Sequence, residues 1–429
     1  MIKLIIHPSE ILLNFLLSLQ LTFSQPQQRH LQRLVEALIV SRGRKTLASL
    51  YRQWVDAPDE SAVSDFLRVS PLTDDELNQS VSGFALRDLL RRAELEGVEP
   101  VLYVSVDDSL THKDKATHAL AGVDIHHDHN ASSNGRAAYG KGMVHVSCRI
   151  QVGAHSYPFA WRLYLRAKTV RRLNRTRAKG ERLRFKSKYQ LTQELLQTLK
   201  AQLPDGWQVY VLMDSWYGSA KLLKFIHRQG WHCLCAIKSN RTLDGIKLSE
   251  WNRRFKHQRY TSAEVSTASG KRTTFLTRQV CGRLKNLPFD VCVIISKRHP
   301  RDSRPKYYLS TDLTLSVSQI LKRYLNRWPI EQDYWYLKEC LGLGDFRVQH
   351  YEAIHKWYGI VHLTLTFLYW QMQESWDSPQ PLFSIAEVIH HHQQKHARDV
   401  LLTAAQQAID TGNLDAIVNR FTITTQAVA

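Results

Sequence analysis

Two aspartates in this sequence stand at the ends of apolar runs that are typical of β-strands. Asp107 follows the run 101–106, and Asp214 follows the run 208–213. A third carboxylate, Glu331, lies in a later segment with helical periodicity. If these side chains converge, they can hold two Mg²⁺ ions roughly 4 Å apart, which activate water or a 3′-OH for phosphoryl transfer. A single aspartate is usually a cap or a surface residue, so it is the joint pattern that indicates this chemistry.

The segment around Glu331 carries the most specific pattern. Tyr324, Arg327, Glu331 and Lys338 are separated by three, four and seven residues, so all four share one face of a continuous helix. Pro329 either kinks that helix or begins a new one, which loosens the alignment of the first two residues. One carboxylate among Tyr, Arg and Lys suits a metal ligand beside side chains that bind phosphate.

The elements that must position these carboxylates follow from the periodicity of the chain. The sequence predicts helices within 9–95, a boundary at 97–100 and then strand periodicity. The predicted elements that follow are a strand over 101–107, a strand pair over 143–152 and 157–165 joined near Gly153, a helix over 189–203, a strand over 208–214, a helix over 218–229, a strand over 231–237, short β-like runs within 240–312, and helices over 316–338, 351–375 and 383–419. In an RNase H-like sheet of this order the first and fourth strands are neighbours, so Asp107 and Asp214 converge.

The N-terminal helices allow two interpretations. Residues 45–51 begin a short helix, and residues 61–68 could follow as the second half of a helix-turn-helix. A small helical bundle fits the same periodicity equally well, and the sequence leaves both open.

Three motifs together resemble those of the YREK-signature bacterial insertion-sequence DDE transposases. The pattern Tyr-x2-Arg-x3-Glu-x6-Lys over 324–338 matches the signature of that group at every position. Asp107-Asp108-Ser109 is similar to its first-Asp motif, and Asp214-Ser215-Trp216-Tyr217 is similar to its second. The resemblance covers residues 100–370.

This resemblance implies a fold class and a division into domains. The implied fold is α/β, an RNase H-like core split by a β-rich insertion, with helical N-terminal and C-terminal regions. The implied domains are 1–98, a helical DNA-binding region; 99–239, the first part of the catalytic core; 240–312, the β-rich insertion; 313–375, the second part of the core with the Glu helix; and 376–429, a helical C-terminal region.

The resemblance also implies roles for individual residues and for partners. The expected catalytic, metal-binding triad is Asp107, Asp214 and Glu331. The side chains expected to hold the cleaved transposon end are Tyr324, Arg327 and Lys338. The implied cofactor is a pair of Mg²⁺ ions, with Mn²⁺ as a substitute, and the implied partner is double-stranded DNA bound by two protomers.

The adjacent aspartates at the end of the first strand leave one ligand to be chosen. Because strand side chains alternate, only one of Asp107 and Asp108 can face the metals. Asp107 is favoured, since Ser109 then occupies the small-hydroxyl position two residues later. Asp108 stays the alternative.

The charge of the chain points to a polyanionic partner. Lys and Arg number 58 against 39 Asp and Glu, which gives a formal charge of +19 and a pI near 9.7. The densest run, 162–188, holds twelve basic residues and a single acidic one. Such runs are usually solvated loops, but within a catalytic domain binding to the DNA backbone is the better interpretation. The basic residues proposed for DNA binding are Arg171, Arg172, Arg175, Arg177 and Lys238.

The cysteines and the apolar segments indicate the cellular compartment in which the protein is expected. The six cysteines show no CxxC spacing, which argues against disulfide scaffolds and zinc ribbons. Residues 11–17 form a short apolar run like that of a signal peptide. Polar residues precede the run and no small-residue cleavage site follows it, so a signal peptide is disfavoured. No other stretch approaches the roughly 20 apolar residues of a membrane span. We therefore expect no membrane association and a bacterial cytoplasmic, nucleoid-associated location.

Two histidine clusters and two tryptophans are better explained by structural roles than by metal binding or catalysis. Residues 126–129 and the histidines at 390–392 with 396 lack the companion ligands of a standard zinc site. We expect the first cluster in a polar loop between strands and the second on an exposed helix face. Packing accounts for Trp328 and Trp335, which lie seven residues apart.

Taken together, these features favour a cut-and-paste transposase that excises DNA at terminal inverted repeats and joins it to target DNA. A metal-dependent nuclease on the same fold is one alternative, and it predicts cleavage without strand joining. A domesticated DNA-binding protein that no longer transposes is the other, and the presence of all three carboxylates argues against it.

Overall fold

Helix and strand are both abundant in this chain, which forms a mixed α/β structure with 46% helix and 24% strand. The computed structural model describes residues 2–422 apart from 58, 72, 115, 118, 134–135, 267–269 and 271. The end of the predicted C-terminal region 376–429 therefore lies outside the described residues. None of the described helices is both long and apolar enough to cross a membrane.

The elements are numbered here in chain order. The helices are α1 Glu10–Ser18, α2 Gln25–Val40, α3 Leu47–Tyr51, α4 Glu60–Val69, α5 Asp74–Leu95, α6 Ala167–Leu173, α7 Lys188–Gln202, α8 Ala220–Arg228, α9 Leu248–Arg254, α10 Val317–Leu325, α11 Pro329–Trp335, α12 Tyr351–Glu374, α13 Ile385–Thr411 and α14 Leu414–Phe421. The strands are β1 Val101–His112, β2 Asp124–Ser133, β3 Arg136–Val152, β4 His155–Tyr164, β5 Gln208–Met213, β6 His232–Ile237, β7 Thr242–Leu243, β8 Ile246–Lys247, β9 Thr261–Ser266, β10 Arg272–Arg283, β11 Asp290–Lys297 and β12 Lys306–Ser310.

One large mixed sheet organises the fold. Its strand order is β2-β3-β1-β5-β6-β12-β11-β10-β9. The tenth strand, β4, is outside this linear order and pairs with β3. The pairs β1·β5 and β5·β6 are parallel, whereas β1·β3 and β3·β4 are antiparallel. The sequence-based prediction that the first strand lies beside the strand ending at Asp214 is thus confirmed, an arrangement consistent with an RNase H-like core.

The centre of the sheet is buried on both faces. In β5 every residue after Gln208 is buried, as expected for a parallel strand covered by helices on both sides. In the parallel register Val106 lies opposite Met213, so Asp107 and Asp214 follow at the same level of neighbouring strands. β5 ends at Met213, but the predicted end of the first strand at Asp107 is wrong: β1 continues to His112, because its residues from Asp107 onward still pair with β3. This register brings Asp107 and Asp214 to one edge of the sheet.

One strand of the sheet, β2, was not predicted from sequence, whereas the neighbouring pair β3 and β4 was. β3 and β4 are joined at Gly153, which adopts the left-handed conformation (φ 56°) as a tight connection requires. β2 pairs with the N-terminal extension of β3. The expected polar loop at 126–129 is therefore wrong: these residues lie in β2. The segment has no apolar alternation because β2 is an edge strand, so its sequence carries no strand signal.

The β-rich segment 240–312 continues the core sheet. β12 pairs with β6, with Tyr307 opposite Ile237, and β11, β10 and β9 follow outward. Only β7 and β8 form a separate two-stranded sheet among the described residues. The division of the chain into domains stays a prediction.

The helical regions at both ends of the chain pack around α12. Nineteen of the 24 residues of α12 are buried, because it lies between β4 and the helices α2, α4, α5 and α13. In α4 the side chains of Val63, Phe66 and Leu67 are buried in this same core. The apolar face of α4 is thus used for packing, and DNA binding by its other face stays a prediction.

The predicted C-terminal helix over 383–419 is interrupted. α13 ends at Thr411, and the next residue, Gly412, has a φ of 65°, the left-handed conformation typical of a helix C-terminus. Asn413 then caps α14 by accepting a hydrogen bond from the backbone N–H of Ala416. A glycine followed by an asparagine was the signal for this break.

Candidate active site

The three predicted carboxylates lie in the wall of one cavity of about 600 Å³. β1 and β5 bring Asp107 and Asp214 there, and α11 brings Glu331. The cavity is lined by Asp107, Asp108, Ser109, Asp214, Ser215, Trp216, Lys238, Arg327, Glu331, Tyr334, Trp335, Lys338 and Glu339. Carboxylates and cations thus share one concave surface.

The turn after β5 fixes the carboxylate of Asp214. Its Oδ1 atom accepts hydrogen bonds from the backbone N–H groups of Trp216, at 2.9 Å, and Tyr217, at 3.2 Å. An aspartate commonly bonds to the backbone two residues later in this way, and the bond stops the strand. Asp214 is therefore held in place by the chain segment that follows it.

Asp107 lies in a crowded, negatively charged environment. Its Oδ1 atom accepts a hydrogen bond from the backbone N–H of Asp108 at 2.8 Å, and its Oδ2 atom accepts one from Arg327 at 3.2 Å. Burial, and then the neighbouring carboxylates of Asp214 and Asp108, raise the pKa of Asp107 to about 7. The cavity concentrates negative charge at this residue.

Asp108 has two partners that Asp107 lacks. Lys188 donates to its Oδ2 atom at 2.6 Å, and the hydroxyl of Tyr217 donates to its Oδ1 atom at 2.8 Å. Both carboxylate oxygens are engaged, and the negative charge is offset by a lysine. Asp107 is likewise bonded at both oxygens and paired with Arg327, so the choice of Asp107 rather than Asp108 as the metal ligand stays a prediction.

The segment of the YREK pattern is not one continuous helix. α10 ends at Leu325 and α11 begins at Pro329, which occupies the first helical position where its missing N–H costs nothing. Between them the backbone tightens, with N–H groups bonded to carbonyls three residues earlier, as from Arg327 to Tyr324 at 3.1 Å. Lys338 lies further on, in a π-helical turn over Tyr336–Cys340.

Arg327 is the cation that joins the carboxylates of different elements. Its guanidinium bonds to Glu331 in the next helical turn and to Asp107 on β1. Lys338 reaches the same cavity, where burial lowers its pKa while Asp128 and Glu339 oppose that shift. Three of the four residues of the pattern therefore converge despite the broken helix.

Tyr324 is the fourth residue of the pattern, and it does not line the carboxylate cavity. Its ring lies against Tyr308, with centroids 4.9 Å apart, and 6.0 Å from the guanidinium carbon of Arg327. It faces a neighbouring cavity of about 860 Å³ that also reaches Asp214. Of the two outcomes left open at Pro329, the start of a new helix is confirmed. The alignment of all four residues required a continuous helix, and Tyr324 on α10 accordingly does not join the other three in the carboxylate cavity.

The predicted basic residues differ in how available they are. Arg171 and Arg175 are exposed. Arg172 is exposed as well and donates to the carbonyl of Val123 at 3.3 Å. Arg177 is mostly buried and forms an ion pair with Glu352. Lys238 is exposed where β6 ends and lies at the cavity wall.

The two tryptophans of the pattern segment are exposed. Trp328 is 59% exposed and Trp335 is 52% exposed, so the packing expected from sequence is wrong for both. Trp335 lines the carboxylate cavity and Trp328 lines the neighbouring one. Exposed rings at such positions can stack on nucleobases.

Sequence reasoning missed how the residues around the carboxylates are held. Lys188 was seen only as one member of a charge run, although it pairs with an aspartate 80 positions away. The ring of Tyr189 stacks on Trp216 with centroids 4.7 Å apart, which places Lys188 5.1 Å from the Trp216 ring. Nothing in local spacing signals such contacts, because they depend on how α7 packs against β3, β4 and α8.

A cavity where carboxylates of separate elements meet, as Asp107, Asp214 and Glu331 do, can hold the divalent ions of a metal-dependent phosphoryl-transfer enzyme. A family model described as DDE superfamily endonuclease matches residues 19–261, and one described as Transposase DDE domain matches residues 186–367. The first match spans more than half of the 429 residues, so the chain belongs to the DDE superfamily endonucleases. It is therefore an enzyme with a DDE transposase/endonuclease catalytic domain.

Two other comparisons add little to this assignment. Among solved structures the chain is similar to a piggyBac transposase synaptic complex with hairpin DNA, at 12% identity over 95% of this chain and 78% of that chain, with a TM-score of 0.47. Similarity at that level carries no information on activity. No curated protein matches the chain.

Membership in this superfamily implies a divalent metal cofactor. The cavity fits such an ion, because Asp107, Asp214 and Glu331 offer the hard oxygen donors that divalent cations of this type prefer. Burial, followed by the charges of Asp214 and Asp108, raises the pKa of Asp107, and a divalent ion bound there would offset the cost of holding these negative charges together.

Proposed function

We propose that the chain is a cut-and-paste DNA transposase of the YREK-signature bacterial insertion-sequence group. It excises double-stranded DNA at terminal inverted repeats and joins the freed ends to target DNA. It acts as a homodimer in the bacterial cytoplasm, where it is associated with the nucleoid. The observation that carries this proposal is the meeting of Asp107, Asp214 and Glu331 in one cavity with Arg327 and Lys338 in its wall.

The proposed roles follow from the contacts of each side chain. Asp107, Asp214 and Glu331 hold two Mg²⁺ ions, for which Mn²⁺ can substitute. When bound, such ions polarise the scissile phosphate and activate the attacking oxygen. The backbone hydrogen bonds to Asp214 and Asp107 fix both carboxylates before substrate arrives, which reduces the reorganisation that the reaction requires.

The cations around the cavity bind the DNA end. Arg327 presents a planar guanidinium that matches a phosphate, and Tyr324 supports it from the neighbouring cavity. Lys338 and Lys238 line the cavity as further phosphate contacts.

Outside the cavity, the flanking DNA is bound by a basic surface and by the N-terminal helices. Arg171, Arg172 and Arg175 are exposed near the catalytic region and contact the DNA backbone. Arg177 joins them when its ion pair with Glu352 opens. The helices within 1–98 recognise the inverted repeats.

Replacing Arg327 with Ala is expected to weaken binding of transposon ends by about 10- to 150-fold, because a charge-assisted contact to phosphate is worth about 1.5–3 kcal/mol. The slope of log affinity against log salt should fall by about one, as expected for one lost phosphate contact. Arg327→Lys should recover the slope but only part of the affinity, since the two-pronged contact is lost. Fluorescence anisotropy over a salt series measures both quantities.

The matched control is Arg228→Ala, which removes an exposed arginine at the end of α8 that is not among the cavity residues. An Arg327→Ala protein that binds ends like the Arg228→Ala protein would remove Arg327 from the DNA interface.

The proposal as a whole is tested by a cleavage and strand-transfer assay in Mg²⁺ on DNA that carries the element's own ends. Joined products that disappear in Asp214→Asn establish the transposase and its metal site together. Cleavage without joining indicates a nuclease on the same fold. Specific end binding without any cut, even in Mn²⁺, indicates a domesticated DNA-binding protein.

A further inference from the structure

A second cluster of metal-ligating side chains lies in the helical part of the molecule. Glu36 on α2 meets His392 and His396 on α13, and at most 2% of each side chain is exposed. The expected exposed face for the histidines 390–392 and 396 is thus wrong for two of the four. Only His390 and His391 are exposed.

The spacing along α13 explains why these two histidines are buried. The buried residues of α13 are Ile385, Val388, His392, His396 and Val400. They recur at intervals of three and four residues and form the stripe that faces the core. Two histidines therefore occupy positions where an amphipathic helix normally places apolar side chains, and burying polar groups there needs compensation.

The donor atoms of the cluster converge. Glu36 Oε1 lies 2.6 Å from His396 Nε2 and 3.4 Å from His392 Nδ1. All three potential ligand atoms lie within 4.8 Å of one another, the one such group found among the described residues. Around a tetrahedral ion with bonds of about 2.0–2.1 Å, ligand atoms are about 3.3 Å apart. The His392 contact already has that spacing, and the His396 contact needs to widen by about 0.7 Å.

The hydrogen bond on the far side of His392 directs its other ring nitrogen into the cluster. Its Nε2 atom lies 2.5 Å from Oε1 of Gln371, an amide oxygen that can only accept, so Nε2 donates this hydrogen bond. The Nδ1 atom is buried and faces Oε1 of Glu36 at 3.4 Å, which is longer than a normal hydrogen bond. A metal ion between this nitrogen and the carboxylate oxygen would bind both atoms.

Glu36 is oriented in the same manner. Its Oε2 atom accepts hydrogen bonds from the backbone N–H and the hydroxyl of Ser9, both at 3.1 Å. This leaves Oε1 directed at the histidines. Hydrogen-bonded partners behind each ligand are typical of protein metal sites, where they fix the tautomer and the orientation.

We propose that Glu36, His392 and His396 bind a transition-metal ion, with Zn²⁺ as the best chemical match. Two imidazoles and one carboxylate suit Zn²⁺ rather than Mg²⁺, and water supplies the fourth ligand of such a set. These three residues are not among those that line the catalytic cavity, so this ion is separate from the catalytic metals. It joins α2 to α13 across 356 and 360 positions of sequence, and its binding energy stabilises the folded chain.

The test uses the full chain purified in Mg²⁺ buffer from cells grown with zinc. Elemental analysis is expected to find about one zinc per chain, and removal by a chelator should lower the thermal unfolding midpoint, which Zn²⁺ restores. Co²⁺ in place of Zn²⁺ should give the visible absorption of a tetrahedral site. His392→Gln should lose the zinc, the absorption and the response of the midpoint to added Zn²⁺.

Two matched variants locate the ion. His391→Ala removes an exposed neighbour on the same helix, and Asp214→Asn removes a carboxylate of the catalytic cavity; both should keep the zinc. Zinc that persists in His392→Gln and disappears in Asp214→Asn would place it in the catalytic cavity and overturn the proposal. A wild-type chain without zinc, whose midpoint ignores added Zn²⁺, would show that the cluster is only a buried hydrogen-bonded ion pair.

Discussion

Replacing Glu331 with Gln is expected to reduce DNA cleavage and strand transfer by at least about 10³-fold, which corresponds to roughly 4 kcal/mol of lost transition-state stabilisation. The amide has nearly the same size, and its oxygen can still accept a hydrogen bond from Arg327, so binding of DNA ends should stay within about twofold. What is lost is one negative charge of the three proposed to hold the divalent ions. Single-turnover cleavage and a binding titration with the same labelled end measure the two effects separately.

Glu339→Gln is the matched control for this prediction. Glu339 is an exposed acid that lines the same cavity and lies in the same helical segment, but it has no proposed role as a ligand. Cleavage by Glu339→Gln should be close to that of the wild type. If both variants lose activity equally, the effect reflects the total charge of the cavity rather than a ligand at Glu331.

Replacing Asp333 with Ala is expected to lower the free energy of unfolding by about 3–5 kcal/mol. Asp333 on α11 is fully buried and pairs with Arg149 on β3 at 2.5 Å, and its Oδ1 atom also accepts a hydrogen bond from Tyr369 on α12 at 2.7 Å. Removing the carboxylate leaves the Arg149 charge buried without its counter-ion. Because this pair holds the helix that carries Glu331 against the sheet, cleavage should fall as well.

Denaturant titration and thermal unfolding measure this loss, and two further variants interpret it. Gln332→Ala changes an exposed neighbour on α11 and should alter stability by no more than about 0.5 kcal/mol. The double variant Arg149→Met with Asp333→Leu replaces both charges by apolar groups and should recover most of the stability. An Asp333→Ala chain that unfolds like the Gln332→Ala chain would show that the pair does not hold α11.

The helices and strands with strong hydrophobic periodicity were predictable from the sequence. The parts of the site that depend on residue type and on short spacings along the chain were predictable as well. The strand over 208–213, the helix that follows it and the turn at Gly153 were all predicted and are present. β2 was missed because an edge strand needs no apolar alternation. The helix predicted over 383–419 is interrupted at Gly412. Glycine at such a position is a known stop signal, so this break could have been predicted from the sequence.

The sequence by itself indicated the three candidate carboxylates, the neighbouring strands that carry the two aspartates to the cavity, and the residues Arg327, Glu331 and Lys338 that meet there. These depend on residue type and on short spacings, which the backbone translates directly into position. Only the tertiary structure decided that Lys188 and Tyr217 donate hydrogen bonds to Asp108, that Tyr324 faces a second cavity, and that His392 and His396 meet Glu36 inside the protein. Those outcomes join residues 80 to 360 positions apart, and local periodicity carries no information on which distant faces will pack together.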